Sequence, residues 1–194
     1  MVLLHLNKTG IRVLGIAESF RRGHDKSVLA GVVMRSDLVI DGVAFDEITV
    51  GGMDATEGVL RIFDSLQRSD INVMMLNGCV ISWFNIIDLK TVYERVRIPL
   101  ICVTYEESVG LETHIAKHFD ANECESRIDA YRKLGNRVAV KPHTKYEVFI
   151  RFLGLEKKEA AAVLKKFTTH GKVPEPLRVA SLMARALLRT NFAG

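Results

Sequence analysis

The apolar residues of this chain change their spacing at Gly51-Gly52, and that change restricts the fold more than any other feature. Ahead of it lie three strand-like runs. Residues 11–16 are short, β-branched and aliphatic, and read as a strand buried on both faces. Residues 28–34 and 38–45 are two further runs, separated by the hairpin signal Arg35-Ser36-Asp37. Gly42 and the polar Asp46-Glu47 interrupt the last, so residues 48–50 either continue it after a bulge or begin a new strand. The first fifty residues read as an antiparallel meander.

Beyond the two glycines the period is helical. Val59, Leu60, Ile62, Phe63 and Leu66 share one helical face within residues 54–67, with Asp54 or Thr56 as cap. A buried strand is predicted at 71–76, a helix at 83–96 and a strand at 99–103. Strand and helix in alternation imply parallel pairing through crossovers. Helices follow at 113–119 and 122–134. Residues 138–140 and 147–152 form either an outer strand pair or irregular structure. An amphipathic helix at 157–168 and a last helix at 177–188, with Pro176 at its start, complete the chain. The prediction is an α/β fold: a mixed five- or six-stranded sheet, an antiparallel meander followed by parallel strands, flanked by helices.

A length of 194 residues suits a single domain. Its charge is uneven. Residues 1–130 carry 13 Lys and Arg against 19 Asp and Glu, whereas residues 131–194 carry 14 against 4. This basic, helical C-terminal part either attracts phosphate backbones or presents ordinary solvated helix faces at Lys157-Lys158 and Lys165-Lys166. No apolar stretch is long enough to span a bilayer, and residues 1–10 lack the pattern of a secretory leader. Cys79, Cys102 and Cys124 have neither disulfide nor zinc spacing, and the first two sit in apolar runs as small hydrophobes. The expectation is a cytoplasmic protein with no membrane partner.

Three apolar runs end abruptly at a small polar or acidic residue before a turn: at Ala17-Glu18, at Asp54 and at Asn77-Gly78. In open α/β sheets, ligands sit outside the carboxyl ends of the strands. Glu18 there is either a metal ligand or an exposed turn residue. Asp54, after the paired glycines, either coordinates a cation or caps its helix, and Glu57 is a weaker candidate. Asn77 either offers an oxygen or simply forms the Asn-Gly turn. Arg21 and Arg22, with His24, suit phosphate contacts in a polar loop. His114 and His118 are spaced four apart but lack the glutamate of a metalloprotease motif, which argues against zinc. Pro174-Glu-Pro-Leu-Arg178 is either a stiff loop with a Glu175–Arg178 pair or a phosphate-positioning element.

Three segments together, residues 11–20, 52–79 and 172–180, resemble a largely archaeal family related to endonuclease V, within the ribonuclease H-like superfamily. The resemblance runs from Gly10 to Leu188, and the string Pro174-Glu-Pro-Leu-Arg-Val-Ala180 is its most specific part. It implies the ribonuclease H-like fold, and a divalent-metal-dependent endonuclease that uses magnesium near deaminated purines. It also implies an aspartate at the first strand end, where this chain has Ala17 with Glu18 beside it. Asp54 or Glu57 stands for the glutamate of the first helix. Asn77 replaces the aspartate of the fourth strand, and Ser181 replaces the His or Asp after the Pro-Glu-Pro string. The site that remains has Glu18 and Asp54 holding one Mg2+ or Mn2+, Asn77 assisting, and Arg21, Arg22 and Arg178 on phosphates. The partner is nucleic acid, DNA or RNA. The alternatives are a non-catalytic nucleic-acid or nucleotide-binding module and a protein that forms homo-oligomers through apolar faces.

Overall fold

The computed structural model describes residues 10–108, 110–143 and 145–191. The segment read for a leader lies outside them apart from Gly10. Strand β1 (Arg12–Ser19) is central, and β2 (Lys26–Arg35) and β3 (Ile40–Thr49) follow as the expected meander. The bulge falls at Asp41, where Val33 pairs with Gly42 but Met34 pairs with Ile40, and residues 46–49 continue β3 without a break. After α1 (Ala55–Ser65), strands β4 (Val73–Asn77) and β7 (Leu100–Thr104) add in parallel, β4 on β1 and β7 on β4.

The 138–152 region resolves as a strand pair. β8 (Val138–His143) and β9 (Tyr146–Leu153) form a hairpin, and β9 runs antiparallel to β7. The sheet therefore has seven strands, in the order β3-β2-β1-β4-β7-β9-β8, rather than five or six. The ribonuclease H-like architecture is present.

The helix predicted at 83–96 is shorter, because its first part is a small hairpin. β5 (Val80–Ile81) and β6 (Asn85–Ile86) pair with each other, and the link between them is left-handed at Ser82 (φ 45°), Trp83 (φ 62°) and Phe84 (φ 64°). Such a backbone cannot continue as a right-handed helix. Helix α2 (Leu89–Val96) starts at Asp88, whose carboxylate accepts from the Lys90 and Thr91 N–H groups. Helices α3 (Glu112–His118), α4 (Ala121–Lys133), α5 (Lys157–Phe167) and α6 (Glu175–Asn191) complete the chain.

The strands alternate their side chains between two cores. Leu14, Ile16, Leu29, Met74 and Leu76 pack beneath α1 and α2, against Val59, Ile62 and Val92. Val13, Ala17, Val32, Met75 and Ile101 pack against α5 and α6, through Val163, Phe167, Leu177 and Ala180. Helix α6 lies directly on β1: a Cβ on Gly15 would come within 2.6 Å of Pro176. Only a residue without a side chain permits that approach.

Candidate functional site

Alternation along β1 decides what its end offers. Ala17 is buried on the α6 face of the sheet. Glu18 is on the other face, where its carboxylate accepts hydrogen bonds from the Ser27 hydroxyl (3.2 Å) and the Ser82 N–H (3.5 Å). Burial raises the Glu18 carboxyl above its ordinary range, and these two neutral donors offset only part of that effect. Asn77, at the end of β4, meets Glu18 and Ala17 around a cavity of about 10 Å³ closed by Gly78 and Ile81. The cavity has the size of one water or one small ion.

Asp54 does not line that cavity. It stands at the start of α1 without capping it. Its carboxylate turns back to accept from the Thr49 N–H (3.0 Å), the Thr49 hydroxyl (2.9 Å) and the Asn85 amide (2.7 Å). Burial works against ionisation here, but these donors outweigh it and hold the carboxyl below the usual range. Asn85 supplies the cap instead, its Oδ1 accepting from the Ala55 N–H at 2.9 Å. Glu18 and Asn77 thus border one cavity. Asn77 follows Leu76 on β4 as Ala17 follows Ile16 on β1, however, so its side chain faces the α6 side with Ala17, opposite Glu18. The structure ties Asp54 to a neighbouring network on the same β5–β6 hairpin. Glu57 is exposed in the first turn of α1.

The predicted cations are placed differently from one another. Arg21 and Arg22 are exposed in the loop after β1, and the Arg22 guanidinium lies 4.5 Å from the Trp83 ring centre. Arg178 donates to Glu175 through Nε (2.8 Å), and the Glu175 carboxylate also accepts from the Thr169 hydroxyl (2.8 Å). That is the stiff-loop arrangement, with Arg178 itself half-exposed.

Sequence reasoning missed Arg127. It is 3% exposed, and it donates from α4 to the carbonyls of Gly51, Gly52 and Phe84. Desolvation lowers its pKa, and the nearby Glu123 charge offsets only part of that effect. Nothing in the local sequence around Arg127 signals that position. Lys172, Arg137 and Arg151 were also missed as site residues. With Asn77, Cys79 and Tyr105 they line a crevice of about 550 Å³ outside the carboxyl ends of β4 and β7. Lys172 donates to the Tyr105 carbonyl (3.1 Å), and Arg137 to the carbonyls of Glu106 (3.0 Å) and Ser108 (2.8 Å). All three belong to the basic C-terminal part, so the charge asymmetry was the available signal.

Magnesium at phosphoryl-transfer sites keeps several waters and takes one or two protein carboxylates, with substrate phosphate completing the set. Glu18 supplies one such carboxylate beside a cavity with room for one small ion. A paired-ion site does not fit: among the described residues, no three His, Cys, Asp or Glu side chains are grouped to hold a metal.

The sequence model described as endonuclease dU matches residues 9–188. This chain belongs to the endonuclease dU family. It is 40% identical over 172 residues to a "UPF0215 protein" of Pyrobaculum calidifontis, covering 88% of this chain and 93% of that one. A crystal structure of an Archaeoglobus fulgidus protein of unknown function superposes with a TM-score of 0.76 at 26% identity, covering 92% of this chain and 98% of that one. Endonuclease V of Ciona intestinalis, solved with DNA containing inosine, superposes at 0.64 with 16% identity, covering 94% and 87%. That last likeness is one of fold. The endonuclease dU family is archaeal and related to endonuclease V. Among the described residues, no helix is long and apolar enough to cross a membrane.

Proposed function

We propose that this chain binds a DNA strand across the crevice outside β1, β4 and β7 and cleaves it near deoxyuridine. The observation that carries the proposal is the partly buried Glu18 carboxylate beside one small cavity at the ends of β1 and β4, next to the cationic crevice. The substrate class comes from the family description, endonuclease dU. The inosine-containing DNA held by Ciona endonuclease V supports a nucleic-acid ligand for the shared fold.

Lys172, Arg137 and Arg151 lie where they would neutralise backbone phosphates and fix the strand's register, which carries no sequence information in itself. Glu18 would hold a divalent cation, which when bound supplies charge neutralisation at the scissile phosphate. Glu18 is suited to that role because its carboxylate is desolvated and its two donors are neutral, so a cation would find its charge uncompensated.

Binding without cleavage is the second reading. It is favoured by Ala17, an apolar side chain on the face where the resemblance expects an aspartate. One experiment separates the two. Oligonucleotides bearing a single deoxyuridine, a single inosine or neither are incubated with the protein in Mg2+ or Mn2+, and nicking is followed on denaturing gels. Divalent-dependent nicking of the deoxyuridine strand, abolished in Glu18→Gln, supports the proposal. Binding with no nicking in either ion supports the second reading, and an absence of both refutes each.

A further inference from the structure

The geometry points to the Ser82–Trp83–Phe84 turn as a nucleobase-stacking platform, on which a base of the bound strand packs against the Trp83 indole beside the Glu18–Asn77 cavity. This inference rests on the proposed nucleic-acid reading and adds to it the surface that contacts a base.

The backbone supplies the first argument. Ser82, Trp83 and Phe84 are all left-handed, with φ of 45°, 62° and 64°. Each such non-glycine residue carries a conformational cost, and for bulky side chains the conformation is a marked outlier. Glycine would make the same turn at less cost. Strain of this kind persists only where surrounding contacts fix it, and it concentrates at ligand sites.

Those contacts are present. The Ser82 N–H reaches Glu18, and the Ser82 carbonyl accepts from the Gly51 N–H at 2.8 Å. The Phe84 carbonyl accepts from buried Arg127 at 2.9 Å. The turn is therefore clamped from beneath, and one of the clamps is the candidate site's own carboxylate. The Ser82 hydroxyl, in a residue 1% exposed, has no hydrogen-bond partner among the described residues.

The side chains supply the second argument. Trp83 and Phe84 remain half-buried. Phe84 meets Trp83 edge-on at 5.5 Å, and the exposed His118 ring does so at 4.9 Å. These contacts hold the indole in place. The Arg22 guanidinium lies over its face at 4.5 Å. An exposed cation–π contact is weaker than the stacking of a base on an aromatic side chain. A base therefore displaces Arg22 from the indole. The released guanidinium, on an exposed loop, is then free to pair with the adjacent phosphate. Aromatic rings interleaved with cations are the physical requirement for single-strand binding.

Trp83 is the chain's single tryptophan, so its fluorescence reports on this surface alone. Wild-type protein is titrated, with calcium present, with a single-stranded oligonucleotide carrying one deoxyuridine and with an all-abasic strand of equal length and charge. Binding is measured independently by competition in fluorescence anisotropy. The expected result is quenching of Trp83 by the base-bearing strand, with the same midpoint as binding, and little change with the abasic strand. Trp83→Ala should weaken binding of the base-bearing strand by about 5- to 100-fold, and Trp83→Phe should recover most of the loss. Tight binding with unchanged Trp83 emission, or with Trp83→Ala equal to wild type, overturns the platform and leaves the proposed function standing. Failure of both strands to bind overturns both.

Discussion

Ala17 and Glu18 are neighbours on β1 but serve opposite faces of the sheet. Ala17 is sealed into the core beneath α6, while Glu18 reaches Ser27 and the Ser82 N–H on the α1 side. The acid has not slid one position along a shared surface, since successive strand residues point in opposite directions. The Glu18 carboxylate therefore has donors that a side chain at position 17 would not meet.

That environment predicts a pH signature. Glu18 has its folded-state pKa raised above the ordinary 4.5, first by burial. The stability it contributes is fully present below the unfolded value and is lost as pH rises through the folded one. The isosteric, neutral Glu18→Gln should therefore gain on wild type in melting temperature as pH climbs from about 4 and then plateau. A difference that stays flat across that range would falsify burial as the cause. Manganese should raise the melting temperature of wild type and leave that of the variant unchanged.

Arg127 predicts a structural loss with a local readout. Arg127→Leu leaves the carbonyls of Gly51, Gly52 and Phe84 without their donor, and should cost about 2–4 kcal/mol in urea denaturation. Because Phe84 belongs to the strained turn, the emission of Trp83 in the folded variant should shift as well. A loss of stability with no change in that emission would mean that other contacts fix the turn.

The fold was largely legible because its signals are periodic. Alternation before Gly51 and helical spacing after it gave the meander, the crossovers and the order of elements. The misreading at 83–96 has a plain cause: Trp83 and Phe84 look like the apolar face of a helix, and left-handed backbone at non-glycine residues leaves no mark in composition. The site was less legible for a related reason. Glu18 and Asn77 could be named from strand ends, but the partners of Asp54 depend on Asn85, thirty-one residues away. Buried Arg127 is likewise defined by carbonyls more than forty residues distant. Such pairings come from tertiary packing.

The cationic crevice predicts salt dependence. Lys172 and Arg137 line it, so with the proposed function Lys172→Ala and Arg137→Ala should weaken binding of all strands about equally. Each should also lower the slope of log affinity against log salt by about one. A change confined to deoxyuridine strands would instead assign these residues to base recognition.

Gly15 predicts how firmly α6 is seated. A Cβ there meets Pro176 backbone and side chain at 2.6 Å, with no flexible side-chain end to give way. Gly15→Ala should destabilise by about 1–3 kcal/mol through overpacking, measured as a lower urea midpoint at constant slope. An unchanged midpoint would show that α6 can lift from β1 at little cost.

Placing an acid on the α6 face tests the position where the resemblance expects one. Ala17→Asp places a carboxylate at a position only 3% exposed, among Val13 and Val32. Without a cation this should cost about 3–5 kcal/mol, the penalty of an uncompensated buried charge. Adding Asn77→Asp at the end of β4 should deepen that loss through like-charge repulsion. It would also create the second hard oxygen donor that magnesium and manganese prefer. If the strand ends still form a cation site, saturating manganese should then recover about 2.7 kcal/mol at a hundredfold excess over its dissociation constant. The recovery would be read as a melting-temperature increase larger in the double variant than in wild type. A double variant that is destabilised yet indifferent to manganese would show that the α6 face of β1 has closed into core, leaving the Glu18 side as the only place for the chemistry.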